Sequence, residues 1–463
     1  MEKITKIKTI ELLKIIALYY IAKDYNLFPY AISLSLYYIF TACFSNLNLP
    51  HIKEEQNKKS TIKLLILSTL VISLIFLILS LLLSDIMNTL INTEDMFLIF
   101  LFMGLSIVAT PLINIYSEYL SIIKHKAAKI FASTYYLIEF ILYIFIIILF
   151  FKILKFPNNI AISFLYLPKI ITIILMSILC FLILKKKSFL EKNSPTSNNY
   201  QVVKKILTKN FQKSFIKIIT NTYLYISIIT VYLVLTTRYN YNETQISTLI
   251  PTVYLYLNSI INYYLTLTTS INNPNKDISY NLYYTFKIML PLAIIGSIIS
   301  PMICQIIFNN ANISIYLSPL LFLALFQKMF DISSQKITNK KYLNISLIVG
   351  LITKIIITIP LINAIYRMGY NLIYGDILST ILSYMISTII NYLYIKNKYQ
   401  LKEKYLGKIL TIVYENILLS ITLIITEFIF PPNNMNYLKA LIYLPIYLTV
   451  SILFIKIKNK KRG

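Results

Sequence analysis

The stretch TIKLLILSTLVISLIFLILSLLLS (residues 61–84) contains a single charged residue, Lys63, and is long enough to cross the hydrocarbon core of a bilayer as a helix. The connections on its two sides differ in charge. Residues 47–60 carry three lysines, whereas residues 85–95 carry no lysine or arginine. Because connections rich in lysine and arginine stay in the cytoplasm, this contrast predicts a membrane helix that runs outward.

The same pattern recurs along the whole chain. The predicted spans are 9–22, 28–46, 61–84, 96–120, 130–151, 158–185, 214–236, 246–270, 285–308, 314–334, 343–366, 372–395, 409–430 and 437–457. With both termini placed in the cytoplasm, the inner connections carry 29 lysines and arginines and the outer connections carry 5. The sequence therefore predicts an all-α polytopic membrane protein with about fourteen transmembrane helices.

Composition agrees with a membrane protein and excludes an ordinary soluble domain. Of 463 residues, 57% are hydrophobic and 13% are charged, and the mean hydropathy is +0.70. The net charge of +26 would suggest nucleic-acid binding in a soluble protein. Here most basic residues fall on one predicted membrane face, where anionic headgroups attract them, so we interpret the charge as a determinant of topology.

Cysteine and histidine are too few and too scattered for a metal site. The three cysteines, Cys43, Cys180 and Cys304, fall on separate predicted spans, and His51 and His125 fall in predicted loops. The sequence thus predicts no disulfide framework, metal centre or cofactor.

The longest polar connection, 186–213, predicts a division of the chain into two lobes. It separates an N-terminal lobe (1–185, spans one to six) from a C-terminal lobe (214–397, spans seven to twelve), and residues 398–463 add two spans and a basic tail. The other connections are short and leave no room for a soluble catalytic domain. We therefore expect a non-enzymatic function inside the membrane.

Three segments carry a resemblance to a known family. They are FQKMFDISSQKITNKKY (326–342), LIVGLITKIIITIPLI (347–362) and MGYNLIYGDILSTILSY (368–384). They resemble spans ten to twelve of the polysaccharide-exporting, Wzx-like branch of the multidrug/oligosaccharidyl-lipid/polysaccharide flippase superfamily, with Lys354 on the lysine of the family's span eleven. A weaker likeness covers 117–150.

The resemblance implies a transporter of the cell inner (cytoplasmic) membrane. Its expected activity is to move a polyprenyl-diphosphate-linked oligosaccharide from the cytoplasmic to the outer leaflet, for a surface polysaccharide such as capsule or O-antigen. Expected partners are the lipid-linked oligosaccharide, membrane lipids, and polymerase and chain-length components of the same pathway, with no nucleic acid.

Charges deep inside the predicted spans are the candidate site. Lys169 and Lys354 lie about twelve residues into their spans, where a charge must be paired or hydrated. With Lys14 and Arg238 nearer the faces, they could form a cationic cavity that binds the diphosphate. Glu139, ten residues into its span, is the candidate coupling or pairing carboxylate. The alternative is that Lys169 pairs with Glu139 and only locks the N-terminal lobe, or that Lys354 pairs with Glu139 or another buried carboxylate and is structural.

Other polar residues of the spans are assigned to the membrane interface or to packing. Asp376 lies near the start of its predicted span, so we expect it at the interface. Tyr254 and its neighbouring tyrosines could stack on sugar rings, but packing is the favoured interpretation.

Two competing functions remain open at this stage. One is an integral-membrane polysaccharide polymerase or glycosyltransferase, which would usually carry a larger outer loop than 85–95. The other is a cation-coupled drug exporter of the same fold, which would more typically have an anionic site.

Overall fold

The computed structural model describes residues 2–44, 58–91, 96–122, 127–185, 197–268, 278–335, 337, 340–399, 408–429 and 435–460. Within these residues the secondary structure is helical. The α-helices are α1 (Glu2–Ile21), α2 (Phe28–Ala42), α3 (Lys58–Ile91), α4 (Phe97–Ile122), α5 (Ala127–Ile147), α6 (Asn158–Ser163), α7 (Leu167–Lys185), α8 (Ser197–Tyr239), α9 (Glu243–Ile250), α10 (Asn258–Leu267), α11 (Ile278–Phe308), α12 (Ser314–Gln335), α13 (Lys340–Arg367), α14 (Ile373–Tyr399), α15 (Ile409–Ile429) and α16 (Tyr437–Lys460). The expectation of an all-α membrane protein is confirmed.

Within the described residues, each of the fourteen predicted spans falls on a helix or on consecutive helical segments. In this part of the chain, ten helical stretches are both long and apolar enough to cross a membrane, and Phe28–Ala42 and Tyr437–Val450 are shorter apolar helices. Helices are the expected outcome, because a bilayer offers no hydrogen-bond partner and each segment must satisfy its own backbone. The count of fourteen crossings and the cytoplasmic termini stay predictions.

Three short segments depart from α-helical geometry. Residues Ile148–Ile153 and Pro251–Leu257 form π-helix, and a 3-10 turn at Phe164–Tyr166 joins α6 to α7. Proline lacks the N–H that the α-helical ladder needs, so Pro251 is a natural start for such an interruption.

The chain forms two compact units. Unit 1 consists of residues 1–19, 230–241 and 252–463, and unit 2 consists of 20–229 and 242–251. In unit 1, α14 packs against α12 and α13, while α11 packs against α12, α15 and α16. Apolar side chains of α11, α15 and α16 form one core cluster, which includes Leu423 and Tyr447.

Unit 2 is built around α4, which packs against α2, α3, α5 and α7. Gly104 permits the close approach of α3, because a Cβ at this position would lie 2.7 Å from Ser80 Oγ. The Ser80 hydroxyl in turn donates to the Phe100 carbonyl oxygen at 3.3 Å. Small residues that bring backbones together are a usual packing device between membrane helices.

The predicted linker is partly helical. Residues 186–196 lie outside the described residues, and 197–213 form the first part of α8, which is continuous to Tyr239. The boundary between the compact units falls within α8, between Ile229 and Thr230. The predicted lobe boundaries at 185 and 214 stay a prediction.

Candidate functional site

Helices α13 and α14 form a tightly packed hairpin that positions the candidate site in unit 1. A Cβ at Gly375 would lie 2.5 Å from Ile362 Cα and 2.6 Å from Ile362 N, so only glycine fits at this crossing. The residue after Gly375 is Asp376, in the first turn of α14. The close crossing therefore directs the Asp376 carboxylate towards the middle of α13.

Lys354 of α13 forms a buried ion pair with Asp376. The distance from Lys354 Nζ to Asp376 Oδ1 is 3.1 Å, and the two side chains are 0% and 2% exposed. The same ammonium donates to the Thr380 hydroxyl, one turn further along α14. An ion pair at this depth avoids the cost that either charge would carry alone.

Tyr254 adds a third element to the pair. Its hydroxyl donates to Asp376 Oδ2 at 2.8 Å. Tyr254 lies within the π-helix Pro251–Leu257, so the interruption of the span presents this side chain to α14. Each carboxylate oxygen of Asp376 thus has its own donor.

The pair belongs to a polar face that continues along α14. The buried polar residues of this helix are Asp376, Ser379, Thr380, Ser383, Ser387, Thr388 and Asn391. Ser379 Oγ lies 2.8 Å from Thr358 Oγ1 on α13, and the Ser387 hydroxyl donates to the Ser346 carbonyl oxygen at 2.8 Å. The hydrophobic effect does not hold helices together in lipid. Hydrogen bonds from hydroxyls across helices therefore help to do so.

This geometry favours the structural alternative for Lys354. Its ammonium has no exposed surface and is held by Asp376 and Thr380, so it does not face an open cavity in this structure. Asp376, which we expected at the interface, is 1% exposed and ion-paired within the protein. The carboxylate that pairs with Lys354 is Asp376, where the sequence suggested Glu139.

Lys169 and Glu139 come together in unit 2, on the packed helices α7 and α5. Both side chains are partly buried, and both lie near Tyr30. Lys169 Nζ lies 4.3 Å from the centre of the Tyr37 ring, a cation–π contact. Glu139 forms a hydrogen bond with the Tyr135 side chain. We call these five residues the tyrosine cluster of unit 2.

The two remaining candidate cations lie in unit 1. Lys14 is a partly buried residue of α1, and Arg238 is an exposed residue in the last turn of α8. At the start of α1, Lys8 and Glu11 form a partly exposed ion pair at 2.6 Å.

Sequence reasoning missed the roles of Asp376 and Tyr254 in the buried network. A signal was available in the spacing of Asp376, Ser379, Thr380 and Ser383, which places four polar residues on one face of a helix. A polar face in a membrane span points to a helix partner, and the neighbouring span carries Lys354 at mid-depth.

Comparisons with known proteins bear on the fold. No family model matches the sequence, and no curated protein matches it. A structure described as lipid II flippase MurJ in an inward closed conformation aligns with a TM-score of 0.65 and 18% identity, over 99% of this chain and 98% of that chain.

Other solved structures align less well. An inward-facing multidrug resistance MATE family transporter of the MOP superfamily gives a TM-score of 0.47 at 13% identity, over 84% of this chain and 90% of that chain. A MOP superfamily transporter from Pyrococcus furiosus gives 0.46 at 10% identity, over 85% and 95%. The alignment with the flippase covers nearly the full length of both chains at a TM-score above 0.5, and from it we conclude that this chain has the fold of lipid II flippase MurJ.

Proposed function

We propose that this protein is a flippase for a polyprenyl-diphosphate-linked oligosaccharide. It would move this lipid from the cytoplasmic to the outer leaflet of the inner membrane for surface polysaccharide biosynthesis. The observation that carries the proposal is the fold, which matches that of a lipid flippase over 99% of this chain. The segments that resemble the Wzx-like branch support an oligosaccharide-linked lipid as the substrate.

Lys169 is the principal cation of the proposed site. Its ammonium is partly buried within the tyrosine cluster, where ring faces and hydroxyls suit a saccharide and the charge suits a diphosphate. Lys14 and Arg238 are further cations proposed to bind the diphosphate. Lys354 is assigned to the ion pair with Asp376 instead, because its ammonium is already held.

The proposed mechanism is alternating access and makes or breaks no covalent bond. Lysine is a mobile point charge that can hold phosphate oxygens and release them again. Glu139, hydrogen-bonded to Tyr135 and close to the same tyrosines as Lys169, could take up a proton or compete for the lysine as the substrate leaves. The proposed partners are membrane lipids and the polymerase and chain-length components that use the flipped substrate.

The test is a deletion strain analysed for the sidedness of its lipid-linked repeat units. We expect complete repeat units to accumulate on the inner leaflet, protected from impermeant periodate in intact spheroplasts, while surface polymer is lost and wild-type protein restores it. Unpolymerised units that are open to periodate would contradict the proposal and indicate a polymerase. Undiminished surface polymer would also contradict it.

A further inference from the structure

The first part of α8 reaches beyond its membrane-spanning part. α8 contains 43 residues, of which Ser214–Tyr239 are the apolar stretch that could cross a membrane. We call residues 197–213 the basic extension, because four lysines lie within it. On the topology indicated by lysine and arginine, the basic extension lies on the cytoplasmic side.

Two side-chain amides fix the depth of the basic extension against α2. Asn221 Nδ2 donates to the Tyr38 carbonyl oxygen at 2.8 Å, and Asn210 Nδ2 donates to the carbonyl oxygen of Cys43. Cys43 is the residue at which α2 ends. Position 210 therefore lies level with the cytoplasmic end of α2. Lower-numbered residues of α8 lie further from the membrane, towards the cytoplasm.

The basic extension has two faces of different chemistry. Val203, Ile206 and Asn210, at helical spacing, are 3%, 2% and 4% exposed, so this face is packed on the protein. The other face exposes Lys204 and Lys205. Because the apolar face is packed, the helix holds the lysines in a fixed orientation. Lysines in a solvated loop would not be held in this way.

Depth and charge together identify the partner. Lys204 and Lys205 lie five or six residues beyond Asn210, which is about 8–9 Å along a helix axis. The headgroup layer of one leaflet is about 5–8 Å thick, and a lysine side chain spans several ångströms more. Tyr200 and Phe211, exposed before and after the lysines, are aromatic residues of the type found at membrane interfaces.

We infer that the basic extension is a docking surface for the phosphate groups of anionic phospholipids in the cytoplasmic leaflet. Lys204 and Lys205 bind the phosphates, and Asn210 anchors the extension to α2. This inference does not depend on the proposed substrate. Attraction of about 1 kcal/mol per lysine corresponds to about fivefold in affinity, so the two lysines together contribute about 30-fold at low salt.

The absence of tryptophan from the sequence permits a local measurement. Tyr200→Trp in the full chain places a single tryptophan one helical turn from Lys204. In neutral detergent micelles titrated with brominated phosphatidylglycerol, we expect saturable quenching of this tryptophan. Brominated phosphatidylcholine should quench weakly, and free pyrophosphate should not compete at the same concentration.

The decisive variant is Lys204→Gln with Lys205→Gln in the Tyr200→Trp protein. We expect its half-saturating phosphatidylglycerol concentration to rise about 30-fold at low salt and much less at high salt. The matched control, Lys152→Gln with Lys155→Gln, removes two exposed lysines from a predicted outer connection and should leave the titration unchanged.

Four results would overturn the inference. Equal quenching by the anionic and neutral lipids would show that the surface does not select lipids by their net charge. An unchanged titration in the Lys204/Lys205 variant would show that these lysines do not bind the lipid. Displacement by free pyrophosphate would identify a soluble phosphate ligand. If the variant retains lipid binding but loses polymer export in cells, the surface serves a cytoplasmic protein.

Discussion

Replacing Lys354 with methionine should destabilise the protein by about 3–5 kcal/mol. Methionine fills most of the volume of the lysine stem, so the main change is electrostatic. Asp376, with a side chain 2% exposed, would keep the 2.8 Å hydrogen bond from Tyr254 but lose its cation. Removing one partner of a buried ion pair costs about 3–5 kcal/mol, because the remaining charge is left uncompensated.

Neutralising the second partner as well should restore most of the lost stability. In Lys354→Met with Asp376→Asn, the amide can still accept the Tyr254 hydrogen bond, and no buried charge remains. We expect the double variant to lie within about 1 kcal/mol of wild type, since replacing both members of a buried pair is often nearly neutral. Asp376→Asn alone should be as damaging as Lys354→Met alone.

The assay is equilibrium unfolding in mixed detergent and dodecyl sulfate micelles, followed by circular dichroism, together with the amount of folded protein recovered from cells. Ile356→Met is the matched control, because Ile356 lies on the same helix and is 65% exposed. It should change stability by less than about 0.5 kcal/mol.

Wild-type stability of Lys354→Met would show that the Lys354–Asp376 ion pair does not stabilise the fold. If export is also lost in that stable variant, Lys354 is a substrate-binding cation and the ion pair is a transient state. If the double variant is less stable than both single variants, Lys354 and Asp376 do not act as a pair.

Four further outcomes are expected. Tyr254→Phe should lose about 1.5–3 kcal/mol in the same unfolding assay, because it removes a hydrogen bond to a charged group. Gly375→Ala should lower the yield of folded protein in size-exclusion chromatography, since its methyl group would meet the Ile362 backbone at 2.5 Å. Lys169→Gln should abolish polymer export at normal expression, and Lys169→Arg should retain part of it. Cysteines introduced in 186–213 should react with impermeant maleimide only after permeabilisation, because the basic connections are predicted to be cytoplasmic.

Each of these outcomes has a control and a contradicting result. Tyr239→Phe removes a hydrogen bond to a neutral partner, Asn363, at 2.8 Å, and should cost less than Tyr254→Phe. Gly104→Ala should be milder than Gly375→Ala, because the Ser80 side chain can rotate away. Normal export by Lys169→Gln would remove this residue from the proposed site. Labelling of 186–213 in intact cells would reverse the topology.

The helices could be predicted from the sequence because most apolar runs are long enough to cross the hydrocarbon core, and a segment inside lipid must satisfy its backbone hydrogen bonds as a helix. The π-helix at Pro251–Leu257 could not, since its composition is that of any apolar span apart from one proline. The helical start of α8 was interpreted as a linker because Lys and Asn dominate it. Only its spaced Val203 and Ile206 show that one face is packed.

The depth of Lys354 was predictable, but its partner was not. Position within a span predicts the depth of the Lys354 Cα atom. Which carboxylate its ammonium meets depends on the long side chain and on how closely the helices cross. Asp376 lies in the first turn of α14, and its backbone comes near α13 because Gly375 has no side chain. Glu139 matched Lys354 in estimated depth, yet it meets the tyrosines around Lys169.

The Lys354–Asp376 pair also bears on how the chain enters the membrane during synthesis. A lone charge at the centre of an inserting helix costs about 2.5–3.5 kcal/mol in the translocon, and α13, with Lys354 near its middle, would meet that barrier if released singly. The two charges lie on consecutive helices, joined by the short turn between Arg367 and Ile373. Released as one hairpin, α13 and α14 enter the bilayer with their charges already neutralised, so α13 is expected to wait beside the translocon until the ribosome has delivered α14.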